Sequence, residues 1–221
     1  MTVAGLWPGR SSTRHQDRAS GVAGSPLSRQ KLVDGAFDVG ILTSPQVEIR
    51  SMRSNVDMPD QGAAGEHLFS RDCAQDQCRL LSGATMGVLV NHFRSQSGGG
   101  GAKRARQAQG VRAIAEELVA AGERHIVVLG DMHGGPTALG QPAANLATLV
   151  DPSGPLVEVY ALPSFDTGPR PGTFQSCGIH NRLDYILVSS DLAGAGGRGR
   201  HRTTRVVGTP TNVNLPHQRW G

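Results

Sequence analysis

Ile126-Val127-Val128-Leu129-Gly130-Asp131-Met132-His133-Gly134 is the stretch on which the reading of this chain turns. Four apolar residues read as a short, fully buried strand, and that strand ends on an acid. Glycines on either side let the backbone turn and a ligand come close. A carboxylate at the tip of a rigid strand can serve as a metal ligand or a catalytic base. A plain turn or a helix N-cap would use the same residues, so the neighbouring sequence has to decide.

Upstream, Met86-Gly87-Val88-Leu89-Val90 reads as a second buried strand, ending in Asn91-His92-Phe93-Arg94-Ser95. His92 suits a site or an imidazole bonded to a loop carbonyl. Arg94 and Ser95 suit phosphate or solvent. Ser97-Gly98-Gly99-Gly100-Gly101 reads as a flexible linker and Lys103-Arg104-Ala105-Arg106 as a basic run opening a helix. From Arg104 to Ala121, Ala108, Val111, Ala115, Leu118 and Val119 recur at spacings of three and four, which predicts an amphipathic helix stopped by Gly122. Asn91-His92 and Asp131 thus end successive strands, and if those strands are neighbours both clusters share one sheet edge.

Further out, Phe37-Asp38-Val39-Gly40-Ile41-Leu42, Val47-Glu48-Ile49-Arg50-Ser51-Met52 and His67-Leu68-Phe69-Ser70-Arg71-Asp72-Cys73 are expected as strands. Ala143 to Leu149 suits a short helix, and Leu156-Val157-Glu158-Val159-Tyr160 a strand or a helix end. Gly168-Pro169-Arg170-Pro171-Gly172-Thr173-Phe174 is a turn. Arg182-Leu183-Asp184-Tyr185-Ile186-Leu187-Val188-Ser189-Ser190 is a strand interrupted by one acid. An unpaired buried carboxylate is expensive, so Asp184 requires a partner or a solvent-facing end, with a histidine among the candidate partners.

The chain has 221 residues, 30 of them glycine, and its hydrophobic fraction of 38% is low for a fully packed domain. The expected division is a poorly ordered segment over 1–30, one domain over 31–192, and over 193–221 a Gly/Arg-rich tail or the incomplete end of that domain. The formal charge of +4 suits an anionic substrate without naming one. Cys73, Cys78 and Cys177 have no metal-binding spacing, and His67 near the first two supplies no second ligand pair. No apolar run reaches membrane-spanning length and no signal-peptide core is seen, so a soluble chain, cytoplasmic by default, is expected.

In this order, the clusters resemble the endonuclease/exonuclease/phosphatase superfamily of metal-dependent phosphoesterases related to pancreatic deoxyribonuclease. Asn91-His92-Phe93-Arg94-Ser95 is similar to the family's Asn-His-Phe-Lys-Ser, Gly130-Asp131-Met132-His133-Gly134 to Gly-Asp-Phe-Asn-Asp, and Arg182-Leu183-Asp184-Tyr185-Ile186-Leu187 to Arg-Ile-Asp-Tyr-Ile-Leu. Arg106-Gln107-Ala108, the Arg170 to Phe174 turn and the Phe37 to Leu42 segment also fit.

The resemblance implies an α/β fold, a four-layer sandwich of two mixed sheets packed face to face with outer helices, here incomplete at both ends. It implies that His92 and Asp184 form a polar pair that binds and polarises phosphate, and that Asp131 orients or deprotonates the attacking water. His133 stands at the family's Asn, where it would contact the phosphate or metal region. Mg²⁺ or Mn²⁺ is the implied ion, with Asp131 and Asp184 as its remaining carboxylates. The family's metal-binding Glu has no counterpart, since residues 1–36 contain no glutamate. Its closing Ser-Asp-His is not matched by Leu215-Pro216-His217-Gln218 either. Each lost transition-state contact costs ~3 kcal/mol, about a hundredfold in rate, so low turnover is expected.

The expected function is phosphodiester or phosphomonoester hydrolysis by a monomer acting on a phosphate ester, nucleic acid included. The basic helix start and Arg-rich tail lean toward a polyanion. The alternatives are a catalytically degenerate phosphate-binding member or a truncated, non-functional product.

Overall fold

The computed structural model describes residues 28–29, 39–97, 99–134, 142–163, 165–166, 172–176, 179–195 and 204–205. The expectations for most of segments 1–30 and 193–221, for Phe37-Asp38, for the first part of the 168–174 turn, and for Cys177 and His217 lie outside the described residues.

In chain order the strands are β1 (Ser28–Arg29), β2 (Leu42–Thr43), β3 (Val47–Arg53), β4 (Cys73–Leu80) and β5 (Thr85–His92). Helix α1 (Gly101–Ala120) precedes β6 (Ile126–Asp131), β7 (Leu156–Glu158) and the short β8 (Phe165–Asp166), β9 (Phe174–Ser176) and β10 (Ile179–Asn181). Then come β11 (Asp184–Ser189), α2 (Ser190–Ala195) and β12 (Thr204–Arg205). Six strands form one mixed sheet in the order β3-β4-β5-β6-β11-β7, and the other described strands pair only in two-stranded ladders. The chain is therefore α/β with a mixed six-stranded sheet, and a second large sheet is not seen among the described residues.

Strands β5 and β6 are parallel, as a helical crossover requires, while β3-β4-β5, β6-β11 and β11-β7 are antiparallel. Central strand β5 is buried from Met86 to His92 because both of its faces are covered. Leu89 joins Val128, Tyr185 and Leu187 in a core with α1, whereas Val88 and Val90 join Ile41, Val47, Ala74 and Cys78 on the other face. At about 25 cal/mol per Å² of apolar area these two clusters are the main stabilising term.

Helix α1 begins three residues earlier than its periodicity suggests, and the glycine run is its entry turn. Gly99 and Gly100 have φ of 89° and 84°, left-handed values that glycine adopts without a Cβ penalty. With no side-chain cap, Arg104 Nη1 ties the turn together by donating to the carbonyls of Arg94, Ser95 and Gly99 at 3.3, 3.0 and 3.0 Å. The helix buries Ala108, Val111, Ile114 and Ala115, while Val119 is 46% exposed. The apolar stripe thus runs through Ile114 and not through Val119.

The segment His67–Cys73 is not a strand. It holds a single bridge from His67 to Pro59, and the strand starts at Cys73. Hydropathy hides β4 because Asp76 occupies one of its inward positions, 1% exposed. Leu156 to Tyr160 is both things considered for it, a strand through Glu158 and then one 3₁₀ turn over Val159–Ala161. Ala143 to Leu149 shortens to a 3₁₀ turn at Ala144–Leu146.

Candidate active site

Strand register builds the site. His92 pairs with Asp131 across β5 and β6, and Asp131 pairs with Asp184 across β6 and β11, so the three residues form one row over three adjacent strands. Residues opposite each other in a sheet present side chains to the same face. By alternation from Val90, Leu129 and Tyr185, that face is the one away from α1.

The close fit of β5 and β6 beside this row depends on Gly130. Its φ is 138°, and a Cβ there would stand 1.9 Å from the carbonyl oxygen of Asn91. Past the strand tip the chain turns back over the row. The His133 amide donates to Asp131 Oδ1 at 3.0 Å, and Gln96 Nε2 donates to the His133 carbonyl at 2.9 Å. His133 has φ 47°, in the left-handed region where a non-glycine residue is uncommon and Asn is the better-suited type.

Three polar atoms converge. His92 Nε2 lies 3.4 Å from His133 Nε2, Asp131 Oδ2 lies 3.9 Å from His92 Nε2, and 3.5 Å separates it from His133 Nε2. Asp184 is held differently. Its backbone N–H and that of Leu183 both donate to Thr173 Oγ1 at 3.0 Å, and the Thr173 hydroxyl also bonds the Asp184 carboxylate. The structure thus brings His92 to Asp131 and His133 and brings Asp184 to Thr173, and among the described residues no hydrogen bond or ion pair joins His92 to Asp184.

Burial sets the electrostatics. It lowers the His92 pKa to about 4, with Arg71 and His133 adding in the same direction. His133 is lowered chiefly by burial, then by Arg71 and Arg104, against Asp184. Both imidazoles are therefore neutral near pH 7. Asp131 is raised by burial, opposed by the His133 amide and by Arg71. Asp184 keeps solvent access as a residue, yet crowding of its carboxyl raises it, opposed by Thr173 and reinforced by Asp131.

Arg71 is the functional candidate that the motifs miss. It influences His92, Asp131 and His133 alike, and its Nη1 donates to the Phe93 carbonyl at 2.8 Å. A cation tethered beside neutral imidazoles suits an anionic ligand. Gln107 is a positioning residue. Fully buried, it accepts from the Arg94 amide at 2.9 Å and donates to the Leu68 carbonyl at 3.1 Å, fixing the loop after His92 and the one before Arg71. Arg182 is structural. It forms an ion pair with Glu158 and sits 3.7 and 4.2 Å from the ring centroids of Tyr160 and Tyr185.

The basic run is spent inside the fold. Lys103 pairs with Glu66 at 2.9 Å, Arg106 Nε and Nη2 clamp Asp60 at 2.6 and 2.9 Å, and Arg104 serves the helix entry. Lys103 and Arg106 are thus charge-balanced by Glu66 and Asp60.

Among the described residues one group could hold a metal ion, His92, Asp131 and His133, and Asp184 is outside it. A set of two imidazole nitrogens and one carboxylate oxygen fits a divalent transition ion. It fits Mg²⁺ poorly, since that ion prefers oxygen ligands.

The fold is similar to that of solved proteins of the endonuclease/exonuclease/phosphatase type. A mannosyl-6-phosphatase of Bacteroides thetaiotaomicron superposes with TM-score 0.56 at 15% identity, over 76% of this chain and 64% of that one. An endonuclease/exonuclease/phosphatase family protein of the same organism gives TM-score 0.55 at 16% identity, over 74% and 61%. D. rerio TDP2, complexed with a single-strand DNA product, gives 0.53 at 15%, over 75% and 62%. This chain therefore spans a little over three-fifths of the length of these structures. No protein-family model and no curated protein sequence matches it. No helix among the described residues is long and apolar enough to cross a membrane.

Proposed function

We propose that this chain is a divalent-metal-dependent phosphoesterase that hydrolyses a phosphodiester or phosphomonoester. The observation that carries the reading is the row of His92, Asp131 and Asp184 across the ends of three inner strands, with Arg71 beside it, in a fold whose solved neighbours include a phosphatase and a nucleic-acid-bound protein.

Hydrolysis needs a water made nucleophilic and charge neutralised on the phosphoryl oxygens. Asp131, at the strand tip, would take the water's proton where no ion occupies its Oδ2, and would hold the ion that activates the water where one does. Burial raises its basicity above that of an ordinary carboxylate. Arg71 meets a phosphoryl oxygen with a fixed positive charge. His92 and His133, neutral, donate or accept one hydrogen bond each. Asp184, anchored by Thr173, keeps the row acidic at its open end. A divalent ion, held by His92, Asp131 and His133, would supply Lewis-acid polarisation of the phosphate.

A phosphate-binding chain without turnover is the second reading, favoured by a donor cluster that lacks any glutamate. The deciding experiment is hydrolysis of an aryl phosphodiester, an aryl phosphomonoester and plasmid DNA with Mg²⁺, Mn²⁺, Zn²⁺ or Co²⁺, comparing the chain with Asp131→Asn under a circular dichroism check. Metal-dependent activity that Asp131→Asn lowers at least about a hundredfold supports hydrolysis. A folded chain that is inert on all three yet binds phosphate supports the second reading.

A further inference from the structure

We propose that His92 Nε2, Asp131 Oδ2 and His133 Nε2 form a site for one borderline transition-metal dication, of the Zn²⁺ or Co²⁺ type, in preference to Mg²⁺. The inference rests on reading this site as a metal centre and not on hydrolysis. Geometry carries it. The three atoms stand 3.4, 3.5 and 3.9 Å apart, and the point equidistant from them lies about 2.1 Å from each, the length of a bond from zinc to imidazole nitrogen or carboxylate oxygen.

Donor chemistry selects the ion. Two imidazole nitrogens offer lone pairs that borderline ions accept readily, whereas a hard ion gains little from them and keeps its water. Arg71 opposes any cation here by charge, and coordination through nitrogen offsets that opposition in a way Mg²⁺ cannot exploit. Without an ion, the facing nitrogens of His92 and His133 need a proton on one of them. An ion between them satisfies both.

Backbone conformation adds a second observation. His133 occupies a left-handed position, φ 47°, a conformation that His and Asn adopt more readily than most residues, and the turn it makes returns its imidazole to His92. Three side-chain ligands also leave open positions through which a substrate oxygen or a water can reach the ion. His92 and Asp131 are on strand tips held by the sheet, and Gln96 holds the His133 carbonyl. The triangle is thus largely preformed.

The test uses the full chain freed of metal, titrated separately with Zn²⁺, Co²⁺ and Mg²⁺ by calorimetry, with the Co²⁺ visible spectrum as a ligand readout. One Zn²⁺ or Co²⁺ per chain is expected, at least about a hundredfold tighter than Mg²⁺, with no thiolate charge-transfer band. His133→Asn is the decisive variant, because Asn also suits the left-handed backbone, and its circular dichroism spectrum and urea midpoint check that the fold is kept. It should weaken Zn²⁺ and Co²⁺ at least about tenfold and leave Mg²⁺ nearly unchanged. Equal affinity for Mg²⁺, a thiolate band, no bound ion, or affinity for Zn²⁺ that survives His133→Asn would each overturn the inference. Tight Zn²⁺ binding in a chain inert on every ester would sink the hydrolytic reading alone. Mg²⁺-driven hydrolysis insensitive to His133→Asn would sink the metal preference alone.

Discussion

His92 Nε2 and His133 Nε2 face each other at 3.4 Å across the tip of β6, two imidazoles from separate strand ends brought within hydrogen-bonding range. Burial and the Arg71 charge make this a poor place for a proton. With His92 at about 4 in the folded chain and an ordinary value of 6.5 unfolded, the unfolded state binds more protons between those pH values. Stability is therefore full above pH 6.5 and is lost as pH falls toward 4. After allowance for solvent screening the loss is about 2–3 kcal/mol. Urea melts of the metal-free chain from pH 4 to 7 should show this slope, and His92→Gln should flatten it.

Gly130 is the residue least replaceable in the site. Alanine there would place a Cβ 1.9 Å from the Asn91 carbonyl oxygen at φ 138°. The β5-β6 ladder would have to open beside His92 and Asp131. Gly130→Ala is expected to cost about 3–5 kcal/mol, read as a lower urea midpoint with an unchanged slope. A variant as stable as the parent would mean that the strands are not so close.

Asp76 is a cost carried within the sheet. Neither of its carboxylate oxygens has a hydrogen-bond partner among the described residues, and burial, then Asp72, raises its pKa to about 6. Ionisation is disfavoured in the folded state, so the penalty is absent below about pH 4 and complete above about pH 6. Asp76→Asn should raise stability at pH 7 by about 1–2 kcal/mol and by nothing at pH 4. Chemical denaturation at the two pH values checks it.

Much of this fold is legible in sequence where burial is two-sided. Met86 to Val90 and Ile126 to Leu129 show as apolar runs because both faces of β5 and β6 are covered. Strand β4 is not legible, because Asp76 breaks the alternation at an inward position. In the site, His92, Asp131 and Asp184 are visible through motifs that end or begin strands. The contact of His92 with His133 is not, since it depends on parallel register set by a helix of 20 residues between them. Arg71 escapes notice because its segment resembles a strand, whereas its position comes from a loop pinned by Gln107 and the Phe93 carbonyl. Charge alone misleads at Lys103 and Arg106, whose partners Asp60 and Glu66 lie some 40 residues away in sequence.

The Asp60–Arg106 clamp predicts acid sensitivity opposite in sign to that of Asp76, and of the same sign as that of His92 but in a lower pH window. The Arg106 hydrogen bonds lower Asp60 to about 2, against an ordinary value of 3.8. Its stabilisation is present above about pH 4 and disappears as pH falls through 2. Asp60→Asn should destabilise the chain at pH 7 and match the parent near pH 2. Equal midpoints at pH 7 would show that solvent screens the pair.

Arg71 offers the most direct probe of how the site handles an anion. Its charge lowers both His92 and His133, so Arg71→Gln should move both imidazole titrations upward, as histidine proton resonances followed against pH will show. That shift is expected whether or not the chain turns over substrate. If Arg71 also meets a phosphoryl oxygen, the variant should bind inorganic phosphate about tenfold more weakly and raise KM in any ester assay by a similar factor. Arg71→Lys should restore the charge effect on the histidines but only part of the phosphate affinity, because an ammonium cannot reproduce the two-pronged guanidinium contact. Histidine titrations that do not move would place Arg71 outside the electrostatic reach of the site. Moved titrations with unchanged phosphate affinity would confine it to holding the Phe93 carbonyl and setting the state of the imidazoles.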